Sequence, residues 1–143
     1  MNKICTDIDQ SKKLIELGID INTADMLWTY DFMVNDINGL NVISELLQPE
    51  ENDIPAWSLN VLMNFLPSEF TEIGKYSTTT YKIKIRKYKF TDKVDLYQIA
   101  YGNYKFYEDG SSSWKDMINT GEKENLIDAA FQMLVWLKEN NKI

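Results

Sequence analysis

The sequence has no histidine, one cysteine and three prolines in 143 residues. Without histidine, the commonest general base and the commonest metal ligand are both missing. A Ser or Cys nucleophile lacks its usual imidazole partner, and a zinc site lacks its usual ligands. The lone Cys5 excludes a disulfide framework within the chain. With Asp7 and Asp9 nearby it also lacks the electropositive setting that a reactive thiol needs. No apolar run approaches the roughly 18 residues of a membrane span. The opening stretch, MNKICTDIDQSKK, has no apolar segment long enough for a signal peptide. The expectation is therefore a cytoplasmic protein in a reducing compartment, with no membrane partner. No glycine-rich phosphate loop occurs, because GNYKFYEDG has neither the glycine spacing nor the strand-to-helix context. No cofactor and no metal are expected.

What is present suits a globular chain. The composition is 44% hydrophobic and 26% charged, and the length predicts one domain over residues 1–143 with a single core. The net charge is -7, which disfavours long-range steering to nucleic acid. The charge is unevenly spread. Residues 1–74 carry 13 Asp/Glu against 3 Lys, whereas residues 75–143 carry 12 Lys/Arg against 9 Asp/Glu. Such a split reads as two faces with different partners, or as two halves that cancel against each other.

The periodicity predicts an α+β fold. A helix is expected from about Asp7 to Leu17, capped by Thr6 or Asp7 and stopped at Gly18. Met26, Trp28, Tyr30, Phe32 and Val34 alternate with more polar neighbours, which predicts a strand with an apolar face. Asn38-Gly39 reads as a tight hairpin turn. That turn would place Val34 opposite Ile43 and make Leu40 to Leu47 the returning strand, with a helix over 40–47 as the competitor. QPEENDIP (48–55) reads as loop, and AWSLNVLMNFL (56–66) as a short helix ended by Pro67. Residues 70–77 read as a connector around Gly74.

TTTYKIKIRKYK (78–89) alternates as a strand, with a break expected at Lys87. A second hairpin is expected around Gly102-Asn103, with Tyr97, Ile99, Tyr101, Tyr104 and Phe106 on one face. DGSSSW (109–114) reads as a surface loop. Asn125 caps a last helix, apolar around most of its circumference, which must be covered on more than one side. The expectation is an antiparallel sheet of about five strands against about three helices, the C-terminal one central.

Several blocks also carry a resemblance. TADM (23–26), IPAWSL (54–59), FLP (65–67), GKY (74–76) and DAAFQMLVWLKENNKI (128–143) resemble, in order, a family of short proteins from gut anaerobes and their phages and mobile elements. That family carries no established activity. The resemblance implies a bacterial or phage cytoplasmic setting and a single small domain, and it supplies no catalytic residue.

The strongest chemical candidate is the basic, aromatic strand over 82–89. Lys82, Lys84 and Arg86 share a face if the strand is regular, and Tyr88 adds a ring. Phosphates are met by such cations, and unpaired bases stack on such rings. A lysine-rich strand is also how a sheet edge is kept from aggregating. Trp114, read as lying in a polar loop, is a candidate anchor for a protein partner. Trp28 and Trp136 read as core, and Trp57 as packed at a helix start. The local carboxylate clusters are Asp7/Asp9, Asp31/Asp36 and Glu50/Glu51/Asp53. They read as helix-start charges and solvated loops, not as a converging acid–base pair. Serines 111–113 show no base. The residues set no oligomeric state and assign no catalytic residue. The leading expectation is a non-enzymatic interaction or regulatory module that binds another protein. A nucleic-acid-binding module using the basic strand is the disfavoured alternative, and a small enzyme with a carboxylate site is the third.

Overall fold

A computed structural model of the protein describes residues 3–44 and 47–143. The chain forms two compact units, Met1–Phe65 and Leu66–Ile143. The charge split follows them. The first unit carries 11 Asp/Glu against 3 Lys, the second 12 Lys/Arg against 11 Asp/Glu. Among the described residues there are seven strands in two antiparallel sheets, and three α-helices. The class is α+β as expected, but seven strands in two sheets replace the single sheet of about five.

In the first unit, helix α1 spans Ile8–Glu16 and begins where the sequence indicates. Asp7 accepts from the Gln10 backbone N–H, and the Gln10 side chain accepts from the Asp7 N–H, a reciprocal capping box. Strand β1 (Met26–Asp31) lies between β2 (Asp36–Val42) and β3 (Ile54–Ala56). Helix α2 follows at Leu59–Phe65 and stops short of Pro67.

The expected Asn38-Gly39 hairpin turn is corrected. Trp28 pairs with Leu40 and Tyr30 with Ile37, so the chain reverses at residues 32–35. Asn35 holds the left-handed φ of 55° there, and Phe32 and Val34, instead of extending the apolar face, stand exposed on the tip together with Met33. Asn38-Gly39 instead forms a bulge opposite Thr29, and Gly39 takes a φ of 115° that a side chain resists. Residues 45 and 46 of the returning strand expected over 40–47 lie outside the described residues; the strand itself ends at Val42. Ile54 and Pro55, read as the end of a loop, and Ala56, read as the start of a helix, form β3 and pair with β1, covering Met26 and Leu27 on their second flank, so the helix expected over 56–66 begins only at Leu59.

The core of this unit is knotted by Thr6. Its side chain is fully buried, and its Oγ1 lies 2.8 Å from the Ser11 hydroxyl. The same oxygen accepts from the Trp57 backbone N–H at 3.1 Å, and the Thr6 carbonyl accepts from the Trp28 indole at 3.1 Å. Buried polar groups are tolerated where they are bonded in this way. Cys5 is buried nearby, and burial, helped by the Asp25 charge, pushes its thiol up to about 11.

The second unit is a four-stranded sheet in the order β4-β5-β6-β7, with β4 at Glu69–Ile73, β5 at Thr78–Lys89, β6 at Asp95–Phe106 and β7 at Ser112–Asn119. Four expectations are corrected here. The connector at 70–77 begins as strand β4. Strand β5 runs unbroken through Lys87, which pairs with Tyr97. The Gly102-Asn103 hairpin does not form: β6 continues straight through to Phe106 and the reversal falls at 107–111. The supposed loop at 109–114 accordingly holds the start of β7.

A pleated strand sends alternate residues to opposite faces. Phe70, Tyr81, Ile99 and Tyr101 therefore share the inner face, where helix α3 (Leu126–Glu139) covers them. The Phe70 ring lies 5.0 Å from Tyr101 and 6.2 Å from Trp136. Asn125 caps α3 by accepting from the Asp128 N–H at 2.8 Å, as its position in the sequence indicates. The Tyr101 hydroxyl donates to the Pro67 carbonyl at 2.6 Å, and burial raises its pKa.

Candidate functional site

The face of the four-stranded sheet turned away from α3 gathers the residues singled out in the sequence. Lys82, Lys84, Arg86 and Tyr88 occupy alternate positions of β5, opposite Gly102, Ala100, Gln98 and Leu96 of β6. Tyr104 and Phe106 continue that face along β6, and Trp114 stands opposite Tyr104 on β7. All five residues predicted as partner contacts (Lys82, Lys84, Arg86, Tyr88 and Trp114) thus lie on one surface. Lys87 and Lys89 alternate to the other side, and Lys87 pairs with Asp95 at 3.5 Å.

The cations on this face are held differently. Arg86 reaches Asp116 through both terminal nitrogens, at 2.8 and 2.7 Å, and Gln98 at 2.9 Å. The Trp114 indole and the Asn119 amide also donate to Asp116. Tyr88 donates from its hydroxyl to Gln98 at 3.3 Å. Lys84 has no carboxylate partner among the described residues; its ammonium lies 4.8 Å from the Trp114 ring centre and 6.0 Å from that of Tyr104. Those two rings meet edge to face at 5.1 Å. Lys82 is exposed, opposite Glu69 and Gly102. Phe106 and Tyr104 are 78% and 52% exposed, so the rings at this end face solvent.

Small residues make the surface. Gly102 and Ala100 are buried on it, leaving room above them for the side chains of Lys84 and Arg86. Beside them β7 bulges between Asp116 and Ile118, where Met117 has no partner on β6. The bulge aims Asp116 at Arg86. An open groove of about 330 Å³ lies beside the bulge; of its lining residues Tyr81, Asn103 and Lys115 belong to the opposite, inner side of the sheet, and Asp116 and Met117 to the bulge.

Asp116 gives this face a pH signature. The Arg86 guanidinium, with help from Trp114 and Asn119, holds the Asp116 carboxyl down at about 2, below an unfolded value of about 3.9. A depressed carboxylate stabilises the fold fully above its unfolded pKa, and that stabilisation is lost as pH falls through the folded value. Wild-type stability should therefore drop between about pH 4 and pH 2, and the Asp116→Asn variant should lack that part of the decline. At pH 7 the variant should cost about 1–2 kcal/mol, because Arg86 keeps Gln98 but loses its bidentate partner. Urea unfolding of both proteins across this pH range measures both effects.

The acidic clusters are engaged structurally. Asp7 caps α1. Asp31 and Asp36 face each other at the β1–β2 turn, where hydrogen bonds from Asn38 and the Met33 N–H lower the pKa of Asp31. Asp53 accepts from the Tyr30 and Glu50 backbone N–H groups, both at 2.8 Å. Ser112 and Lys115 have the S-x-x-K spacing of a serine–lysine pair. They lie on strand β7, where residues three apart point to opposite faces.

Tyr104, Phe106, Gln98 and Asp116 complete the surface and were not identified with it. The signal for Tyr104 and Phe106 was an unbroken period of two through 95–106, hidden by reading Gly102 as a turn; Asp116 joins the face only through the pairing of β7 with β6. No family model, curated protein or solved structure matches this chain.

Proposed function

We propose that the chain is a non-enzymatic binding module, cytoplasmic in a bacterium or its phage, that presents the outer face of the four-stranded sheet to another protein. One observation carries this reading. Trp114, Tyr104, Phe106, Tyr88 and Arg86 share a single surface, and these are the residue types that anchor protein interfaces. The Trp114–Asp116–Arg86–Gln98 network fixes its rotamers in advance, which lowers the entropic cost of docking. Affinity capture from native lysate should return a stoichiometric partner on the wild-type protein. The Trp114→Ala variant should retain at most about a tenth of it, since an anchor is worth about 2 kcal/mol or more. Equal capture by both proteins would remove this face from the interaction.

A second reading rests on Lys82 and Lys84, which have no acidic partner among the described residues and stand beside stacking rings. That arrangement suits single-stranded nucleic acid. Anisotropy of a labelled oligothymidylate at about 50 mM salt tests it, because phosphate contacts are strongest there. A flat titration would exclude it.

A further inference from the structure

We propose that the partner of the outer sheet face is a second copy of this chain, which docks through the tip of its own β1–β2 hairpin. This inference rests on the reading of that face as a protein-binding surface.

The tip is unusual for a turn. Phe32, Met33 and Val34 are consecutive apolar residues, 69%, 93% and 57% exposed. Turns are ordinarily built from polar residues and glycine. This tip is also held in shape. Asp31 accepts from the Met33 N–H at 2.8 Å and from the Asn38 amide at 3.1 Å, and the Tyr30 ring packs edge-on against Phe32 at 4.9 Å. Three apolar side chains are thereby presented to water on a rigid support, with the carboxylates of Asp31 and Asp36 at their base.

The outer sheet face has the opposite chemistry around a similar apolar centre. Phe106 and Tyr104 are its exposed rings; Lys84, with no carboxylate partner among the described residues, lies 6.0 Å from the Tyr104 ring centre, and the exposed Lys82 follows on the same face, opposite Gly102 and Glu69. Apolar tip meets aromatic surface, and two carboxylates meet two ammonium groups. The unit that bears the tip carries 11 Asp/Glu against 3 Lys, whereas the unit that bears the face is nearly balanced, 12 Lys/Arg against 11 Asp/Glu, so the complementarity is local to the two patches. Opposite potentials steer such surfaces together and fix their register. Contacts of this heterologous kind close into a dimer when two form reciprocally, and propagate when one forms. Three side chains cover much less than the roughly 1,600 Å² of a standard interface, so the association is weak and concentration-dependent.

Sedimentation equilibrium of the full chain tests this. The apparent mass should rise from 16.7 kDa toward about 33 kDa or beyond as the protein is concentrated from about 10 µM to about 1 mM. Raising the salt from about 50 mM to about 500 mM should weaken the association several-fold. Two variants separate the surfaces. Met33→Ser with Val34→Ser strips the tip of apolar surface without adding charge, and Lys82→Glu with Phe106→Ser spoils the face; all four positions are exposed. Each variant alone should stay at the mass of one chain. Their equimolar mixture should recover association, because each supplies the surface that the other lacks, and that recovery also shows that both are folded. A wild-type mass that stays at 16.7 kDa throughout overturns the proposal, as does undiminished self-association of either variant. If the wild type stays single but captures a different protein that Trp114→Ala loses, self-docking is wrong and the binding face stands.

Discussion

Replacing Trp57 by alanine is expected to cost about 4 kcal/mol of folding stability, the range seen when a fully buried large aromatic is removed. Trp57 is 0% exposed and sits between β3 and α2. Its indole N–H donates to the Thr23 hydroxyl at 2.9 Å. Its backbone exchanges two bonds with Thr6, donating to Oγ1 at 3.1 Å and accepting from the Thr6 N–H at 2.9 Å. Alanine keeps those backbone bonds, so the loss is one of volume and of the indole bond. The cavity cannot collapse cheaply, because Thr6, Ser11 and the Trp28 indole are already committed to one another. Trp57→Phe should recover about half of the loss by refilling the site without the N–H. Trp114→Ala, on the half-buried outer face, should cost about 1–2 kcal/mol by comparison. Equilibrium urea unfolding ranks the three. A Trp57→Ala loss no larger than that of Trp114→Ala would contradict this account of the core.

Gly102→Ala is expected to destabilise by about 3 kcal/mol, at the upper end for an overpacked site. A Cβ built on Gly102 lies 2.2 Å from the Lys115 carbonyl oxygen, and 3.0 Å from both the Lys115 carbonyl carbon and the Asp116 Cα. Every one of these atoms is backbone, so no rotamer change relieves the clash. Strands β6 and β7 must part at the bulge. In a roomy strand the same substitution would be neutral or stabilising by up to about 1 kcal/mol, because alanine restricts the unfolded chain. The sign of the measured change therefore decides whether the close approach exists. A second consequence follows from position. Asp116 sits on the shifted backbone, so the alanine variant should also lose part of the stability decline between about pH 4 and pH 2 that marks the Arg86–Asp116 pair.

Gly102 also shows where the sequence misleads. Glycine followed by asparagine fits the first centre of a tight turn, and a second turn there would have put Tyr101 opposite Tyr104. The structure uses the glycine for its missing Cβ, to let β7 approach. The two uses leave the same local signature, and only the neighbouring strand distinguishes them. Asn38-Gly39 is a parallel case. As a dipeptide it favours a turn, but β1 is flanked by both β2 and β3, and burying Met26 and Leu27 sets a register in which the reversal falls on Phe32–Asn35.

The candidate face was half legible. Lys82, Lys84, Arg86 and Tyr88 could be grouped because one strand's alternation places them together. Trp114 could be named only as an isolated aromatic. Tyr104 and Phe106 were assigned to the side of Tyr97, Ile99 and Tyr101, since the supposed turn flips every residue beyond it.

By itself the sequence determined the α+β class, the three helices with the caps of α1 and α3, the alternation of β5, and the absence of histidine chemistry. Each of these follows from residues within a few positions of one another, through capping bonds, helical spacing or side-chain chemistry. Tertiary structure alone decided the number of strands, the two sheets, the position of each reversal, and which aromatics share a face with the lysines. Those depend on pairing between distant segments, where the free energy of burying one register outweighs the preference of any two-residue turn.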